Sequence, residues 1–117
     1  MQVKAKAPFD VQLTRAGGSV ITARLDYWSA TPRGWQLAGS NLFQDVVLSP
    51  EVEPAPLAKG QYTAVFTCRV EESINGVYAF ELAVAGQALY QDQGNVNTTP
   101  NPHDSKAYKD QFVLVVS

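Results

Sequence analysis

The sequence predicts an all-β protein, folded as a single antiparallel β-sandwich of about seven or eight strands. Apolar and polar residues alternate along most of the chain, which is the period of strands that bury one face. Turn signals separate these runs at spacings near ten residues, and no segment keeps a helical period for more than a turn or two. At 117 residues and 12.7 kDa the chain is long enough for one domain, which we expect to span residues 1–117.

The first two strands are predicted on either side of Gly17-Gly18. Apolar residues alternate with polar ones over residues 9–13 and again over residues 21–27. Because glycine adopts the positive φ angles of tight turns, we expect these two runs to form a hairpin. After this hairpin, Trp35 indicates a short strand, and residues 42–48 indicate a less regular strand.

The clearest strand is predicted from Gln61 to Glu71, where the alternation is almost unbroken. Asn75-Gly76 follows as a strong signal for a turn. Residues 78–84 then present a second apolar face. We expect Phe66 and Phe80, one from each run, to lie in a shared core.

The last predicted strand, in residues 109–116, has an unusual composition. Its residues 112–116 are apolar on both faces, which is typical of a central strand or of a strand covered by another chain. Two connections are expected to lack strands. One is proline-rich and covers residues 49–59, and the other is a long polar loop over residues 91–105.

The residues Gly76-Val77-Tyr78-Ala79-Phe80 resemble the tyrosine corner of the immunoglobulin-like sandwiches. The resemblance implies that the Tyr78 hydroxyl bonds to the backbone a few residues upstream. It also implies that Phe80 replaces a core cysteine and that Trp35 corresponds to the core tryptophan of the third strand. The chain departs from the family in lacking a cysteine pair, since it has one cysteine. An immunoglobulin-like and a jelly-roll-like sandwich both remain open, because strand spacing does not encode strand order.

Few residues are suited to catalysis. His103, the one histidine, is expected in a solvated loop, and its neighbours Asp104 and Ser105 do not make a triad because folds assemble triads from distant residues. Cys68 is expected to face inward, where burial raises the pKa of a thiol and lowers its reactivity. We therefore expect no catalytic residues and no enzymatic activity, with a hydrolase as the least favoured class.

The polar loop contains oxygen donors of the kind that calcium prefers. Their composition, but not their spacing, matches a calcium-binding loop, and Asp and Asn are common in turns of any kind. We expect no cofactor, with calcium as the alternative. The candidate ligands are Asp92, Asn95, Asn97 and Asp104.

Aromatic side chains are the candidates for ligand binding. Tyr27 and Trp28 are neighbours on a predicted strand, so if Tyr27 faces the core, Trp28 lies at the surface or folds over the end of the sandwich. Tyr90 and Tyr108 are predicted near loop ends. Exposed aromatic rings suit both sugars and partner proteins.

The charge balance is close to neutral, with nine basic and eleven acidic residues and a net charge of -2. This disfavours nucleic acid as a partner. The sequence shows neither an apolar run of membrane-spanning length nor a signal peptide, so we expect a soluble cytoplasmic protein, although an exported mature form would have the same sequence.

Three function classes follow from these features. The first is a non-catalytic interaction or assembly module with a protein partner, which could be a second copy contacted through the two-sided apolar strand. The alternative is a carbohydrate-binding module that uses Trp28, Tyr90 and Tyr108, and a hydrolase is the third.

Overall fold

The computed structural model describes residues 1–71, 75–100 and 104–117 and shows an all-β sandwich. The strands in these residues are β1 (Gln2–Ala5), β2 (Asp10–Gly17), β3 (Val20–Thr31), β4 (Gly34–Phe43), β5 (Glu51–Pro54), β6 (Gly60–Glu71), β7 (Val77–Val84), β8 (Gln87–Asn95) and β9 (Ser105–Val116).

The strands form two sheets, which confirms the predicted architecture. The five-stranded sheet has the order β1-β9-β6-β3-β4, and the four-stranded sheet has the order β5-β2-β7-β8. Pairing in the described strands is antiparallel except between β1 and β9, which run parallel. The sequence prediction of seven or eight strands missed short strands, because β1 and β5 contain only four residues each and so show too little alternation.

The hairpin predicted at Gly17-Gly18 is wrong, since β2 and β3 belong to different sheets. Ser19 donates its N–H to the carbonyl oxygen of Val77 at 3.0 Å, so this connection lies against the start of β7. Gly17 has a φ of 99°, and a Cβ on it would overlap the same Val77 carbonyl. The glycines therefore allow a close approach of two segments. The connection through Asn75-Gly76 also crosses between the sheets, from β6 to β7.

The two predicted connections both contain strand. The polar segment over residues 91–105 begins inside β8, which ends at Asn95, and its last residue opens β9. The proline-rich segment over residues 49–59 contains β5. The irregular strand predicted at residues 42–48 is instead the end of β4, which stops at Phe43. Alternation is absent from β8 because this edge strand is largely exposed on both faces.

An aromatic cluster fills the core between the sheets. Phe66 and Phe80 are 0% and 4% exposed, which confirms their predicted burial. Their ring centroids are 6.2 Å apart, and the Phe66 ring also stacks on Tyr90 at 5.6 Å. Tyr108 and Phe112 of β9 complete the cluster. Such aromatic pairs add to the free energy gained by removing the rings from water.

A buried arginine, Arg15 of β2, joins the two sheets at the end where β4 finishes. Its side chain is 5% exposed and forms an ion pair with Glu51 of β5, with Nη2 and Oε1 2.9 Å apart. The guanidinium also donates hydrogen bonds to the backbone carbonyl oxygens of Ile21 (2.8 Å), Phe43 (2.9 Å), Leu48 (2.9 Å) and Asp45 (3.1 Å).

The contacts of Arg15 connect elements that are far apart in the sequence. They link β2 to β3, to the end of β4, to the turn after β4 and to β5. Ser49 binds the backbone of β2 at the same residue, because its hydroxyl accepts from the Arg15 N–H at 2.9 Å and donates to the Arg15 carbonyl at 2.8 Å. Removing this cation would leave a buried carboxylate and several carbonyls without a partner, which is strongly destabilising.

We expect Arg15→Met to lower the free energy of unfolding by about 3–5 kcal/mol, as is typical when one partner of a buried ion pair is removed. The matched control is Arg24→Met, since the Arg24 side chain is 50% exposed and pairs with Asp26 at the surface. The control is expected to lower stability by less than about 1 kcal/mol. Urea denaturation measures both values, and equal losses in the two variants would contradict the role given to Arg15.

Candidate functional site

The outer face of the five-stranded sheet carries apolar side chains where a solvated sheet normally carries polar ones. Tyr27 is fully buried in the core, so its neighbour Trp28 points outward and is half-buried. In the strand register, Trp28 lies opposite Leu37 of β4 on one side and Thr63 of β6 on the other. Residues directly opposite on one face are in contact distance of each other.

Trp35 belongs to the same outer face, so its predicted place in the core is wrong. It is 61% exposed and lies opposite Ala30, two positions from the pair formed by Leu37 and Trp28. The physical reason is the length of the hairpin formed by β3 and β4. Residues 34–38 are exposed on both faces, so the tip extends past the four-stranded sheet, and no layer formed by the described residues covers it.

Strand β9 extends this apolar surface across the sheet. Its buried residues alternate with Val113 and Val115, which are half-buried and face outward, as does Val65 of β6. Val113 lies opposite Thr63, which in turn lies opposite Trp28. The two-sided apolar run of β9 thus contributes to both the core and the surface. We call the outward set the tryptophan face, and it consists of Trp28, Trp35, Leu37, Val65, Val113 and Val115.

Polar side chains border the tryptophan face on the side where β4 ends. Arg24 and Asp26 of β3 form an ion pair at 2.6 Å, and Ser40 of β4 donates its hydroxyl to the same Asp26 oxygen at 2.5 Å. The outer face is therefore mainly apolar near the hairpin tip and mixed towards the other end of the strands, where Leu42, 43% exposed, lies opposite Arg24.

The inner side of β4 is fixed to the rest of the domain. Tyr27 donates its hydroxyl to Asn41 Oδ1 at 2.5 Å, and Asn41 Nδ2 donates to the Pro54 carbonyl at 3.0 Å. Burial raises the pKa of Tyr27 above its usual range, so its hydroxyl stays protonated as a donor. Gly39 leaves room for Pro56, since a Cβ at this glycine would lie 3.1 Å from the proline ring. Strand β4 is therefore held in place while its outer face stays open.

The backbone bond that the tyrosine-corner resemblance implies for Tyr78 would fall on a stretch that includes residues 72–74, which lie outside the described residues. The Tyr78 hydroxyl donates to Asp92 Oδ2 at 2.9 Å and accepts from Lys106 Nζ at 2.7 Å. Lys106 also pairs with Asp92 at 2.5 Å, and this ammonium lies 5.3 Å from the centre of the Tyr78 ring. The tyrosine therefore joins β7, β8 and β9 through side chains.

The candidate calcium ligands have protein partners in the structure. Asp92 pairs with Lys106, Asp104 accepts from the Thr99 N–H and hydroxyl at 2.9 and 2.8 Å, and the side chain of Asn95 accepts from the N–H of Asn97 at 2.8 Å. Across residues 1–71, 75–100 and 104–117, no group of three or more His, Cys, Asp or Glu side chains could hold a metal ion. Calcium therefore stays a sequence prediction.

Of the other residues considered for binding or catalysis, three are buried or partly buried and one lies outside the described residues. Tyr90 is 7% exposed and stacked in the core, so its predicted exposure near a loop end is wrong, and burial raises its pKa to about 12. Tyr108 is partly buried in the same aromatic cluster. Cys68 is 3% exposed, which confirms its inward orientation, and burial raises the pKa of its thiol to about 12. His103 lies outside the described residues.

Sequence reasoning found Trp28 but missed the residues that surround it. The signal for Val113 and Val115 was the two-sided composition of β9, which the sequence could not connect to Trp28. That connection requires the strand order, because it depends on β6 lying between β3 and β9.

No protein-family model matches the chain, and no curated protein and no solved structure shows significant similarity to it. Among the residues that the structure describes, no helix has the length and apolar character needed to cross a bilayer. A functional proposal for this chain therefore depends on its own geometry.

The pair formed by Asp92 and Lys106 predicts a specific pH dependence of stability. The hydrogen bond from Lys106 lowers the pKa of Asp92, and the bond to Asp92 raises the pKa of Lys106. The acidic partner contributes stability above its unfolded pKa, near 4, and loses it as pH falls through the lower folded value. The basic partner contributes below its unfolded pKa, near 10.4, and loses it as pH rises through the higher folded value.

We therefore expect Asp92→Asn to lower the free energy of unfolding by about 0.5–1 kcal/mol at pH 7, since the pair is partly exposed. The difference from the unsubstituted chain should shrink as pH falls below about 4. Urea denaturation across pH, with Asp10→Asn as the control for removing a carboxylate from an exposed strand residue, measures this. A difference that stays constant from pH 7 to pH 2 would contradict it.

Proposed function

We propose that this protein is a non-catalytic contact module whose working surface is the tryptophan face. The observation that carries the proposal is the exposure of an aromatic and aliphatic set on the outer face of one sheet, led by Trp35 at 61% and Leu37 at 47% exposed. Soluble proteins rarely leave contiguous apolar surface open to water unless it makes contact with something. Tryptophan is also enriched among the residues that dominate binding energies at interfaces.

The outer face of the other sheet provides an internal comparison. Its exposed positions are mostly polar or small, as expected for a solvated antiparallel sheet. Two valines, Val52 and Val77, are exposed there, but they lie singly, and isolated apolar residues need no partner. The polar and small residues of this face include Gln12, Thr14, Ala16, Ala79, Glu81, Gln91 and Gln93.

The turn after β4 also exposes apolar side chains. Val46, Val47 and Leu48 are 40%, 86% and 47% exposed in the turn after β4, where Arg15 binds two backbone carbonyls. These are adjacent residues of one turn, whereas the tryptophan face spans β4, β3, β6 and β9. The distribution over four paired strands favours the tryptophan face as the contact surface.

The scaffold also favours binding by contact. The residues of the face lie on paired strands, and the inner side of β4 is anchored through Asn41 and Gly39. A surface that is already ordered loses little conformational entropy when a partner binds. The proposal assigns no catalytic residue and no cofactor to the chain.

Carbohydrate binding is the second candidate, because Trp28 and Trp35 lie on one face and Trp28 has the polar neighbour Thr63. The two indoles lie on neighbouring strands, offset by two positions, and this spacing suits stacking on adjacent sugar units. A glycan array with and without chelator, combined with tryptophan fluorescence of the chain and of Trp28→Ala, separates this candidate from a protein partner. Binding without any change in tryptophan emission would exclude the face as the sugar site.

The proposal predicts that a photo-crosslinking residue at position 37 captures a partner in the native cells. Benzoylphenylalanine at position 37 is expected to give an adduct of one discrete mass, because Leu37 is exposed and lies on the tryptophan face. The matched control is the same residue at position 77, since Val77 is 45% exposed and Leu37 is 47% exposed, on opposite sheets.

The substitution Leu37→Asp should weaken the captured complex at least about tenfold, since it buries an unpaired charge, and Val77→Asp should change it less than about threefold. Affinity is measured on the purified partners. Equal capture at both positions, or no discrete adduct at position 37, would show that the tryptophan face is not a contact surface.

A further inference from the structure

Strand β4 is an edge of the five-stranded sheet. It has one feature that protects edges, a register shift at Ala38, and lacks the others. It is ten residues long and contains no charged residue and no proline. The other edge strands of the described chain are protected. Strand β1 has four residues with Lys4, β5 has four residues ending in Pro54, and β8 carries the ion-paired Asp92. Natural proteins use short strands, charges and prolines to prevent edge pairing.

The free backbone groups of β4 can be assigned from its pairing with β3. The loop between the strands is the two residues Pro32-Arg33, so Thr31 and Gly34 face each other as the hydrogen-bonded pair that closes the hairpin. Alternation then directs the N–H and C=O of Trp35 and Leu37 away from β3, towards the open edge. Within the described residues, no strand pairs with this side of β4, and no backbone hydrogen bond outside the strand ladders involves these groups.

We infer that β4 pairs antiparallel with β4 of a second copy of this chain, so that two five-stranded sheets become one continuous sheet. This inference rests on the proposed function, because β4 carries Trp35 and Leu37 of the tryptophan face, and it names the partner of the open edge of that strand. A two-fold axis places the same uncharged strand on both sides of the contact, so no like charges within the strands oppose each other. The free donors and acceptors of each edge satisfy those of the other.

The charges that flank β4 favour the antiparallel direction. Arg33 precedes the strand and Asp45 follows it. Antiparallel pairing brings the Arg33 end of each copy towards the Asp45 end of the other, whereas parallel pairing would bring like charges together. The same arrangement brings the outermost residues of both tryptophan faces, Trp35 and Leu37, next to the joint, and it makes one apolar surface from two.

The direct test compares Ala38→Lys with Ala88→Lys by sedimentation equilibrium of the full chain. Both alanines are exposed, and they lie beside the register shifts of the edge strands β4 and β8. Ala38→Lys should raise the dissociation constant of the dimer at least about tenfold, because the two-fold axis brings two like charges close together. Ala88→Lys should change it less than about twofold, and circular dichroism checks that both variants keep the β fold.

Amide hydrogen exchange of the unsubstituted chain shows which surface forms the dimer. Edge pairing predicts that the backbone amides of Trp35 and Leu37 become protected as the protein concentration rises, because their N–H groups enter a ladder. A dimer in which these amides stay unprotected, or in which both lysine variants dissociate equally, overturns edge pairing. A chain that remains monomeric at millimolar concentration overturns it as well, while a crosslink from position 37 to a different protein would still support the proposed function.

Discussion

The burial of one cation holds this sandwich together. Arg15 occupies an inward position of β2 where the alternation would place an apolar residue, and its guanidinium binds the backbone at the end of β4 as well as Glu51 of β5. A buried guanidinium is stable only where carbonyls and a carboxylate surround it. The positions of the β4 end, the following turn and β5 therefore all depend on Arg15.

This anchoring explains how a strand at the edge of a sheet can be both rigid and open. On the inner side, β4 is tied through Phe43 to Arg15 and through Asn41 to Pro54. On the outer side, the part of the chain that the structure describes leaves Trp35 and Leu37 uncovered. Structural contacts thus occupy one side of the hairpin, and the proposed contact surface occupies the other. An ordered apolar face next to unpaired backbone suits recognition of another β structure.

The sequence predicts the layers of this fold better than its connections. Alternation identified Phe66 as core because the period of two is a local property of a strand. It could not distinguish a hairpin from a crossover at Gly17-Gly18, since both need positive φ. The exposure of Trp35 depends on how far the β3–β4 hairpin extends past the four-stranded sheet. The burial of Tyr90 depends on the five-stranded sheet, which covers this one position of the otherwise polar strand β8. Arg15 follows Val11 and Leu13 on the inward side of β2, so the sequence shows a charged residue at a position where alternation predicts an apolar one. The alternation alone does not reveal that this residue is buried and ion-paired.

The central claim is that the open side of β4 joins this chain to a second copy. Small-angle X-ray scattering over a concentration series tests it most directly, because the single chain has a Cα radius of gyration of 15.2 Å. Two copies displaced by the width of a five-stranded sheet, roughly 24 Å, should raise this to about 20 Å as the scattering mass doubles. A mass of one chain and a radius that stays at the single-chain value up to millimolar concentration would contradict the account.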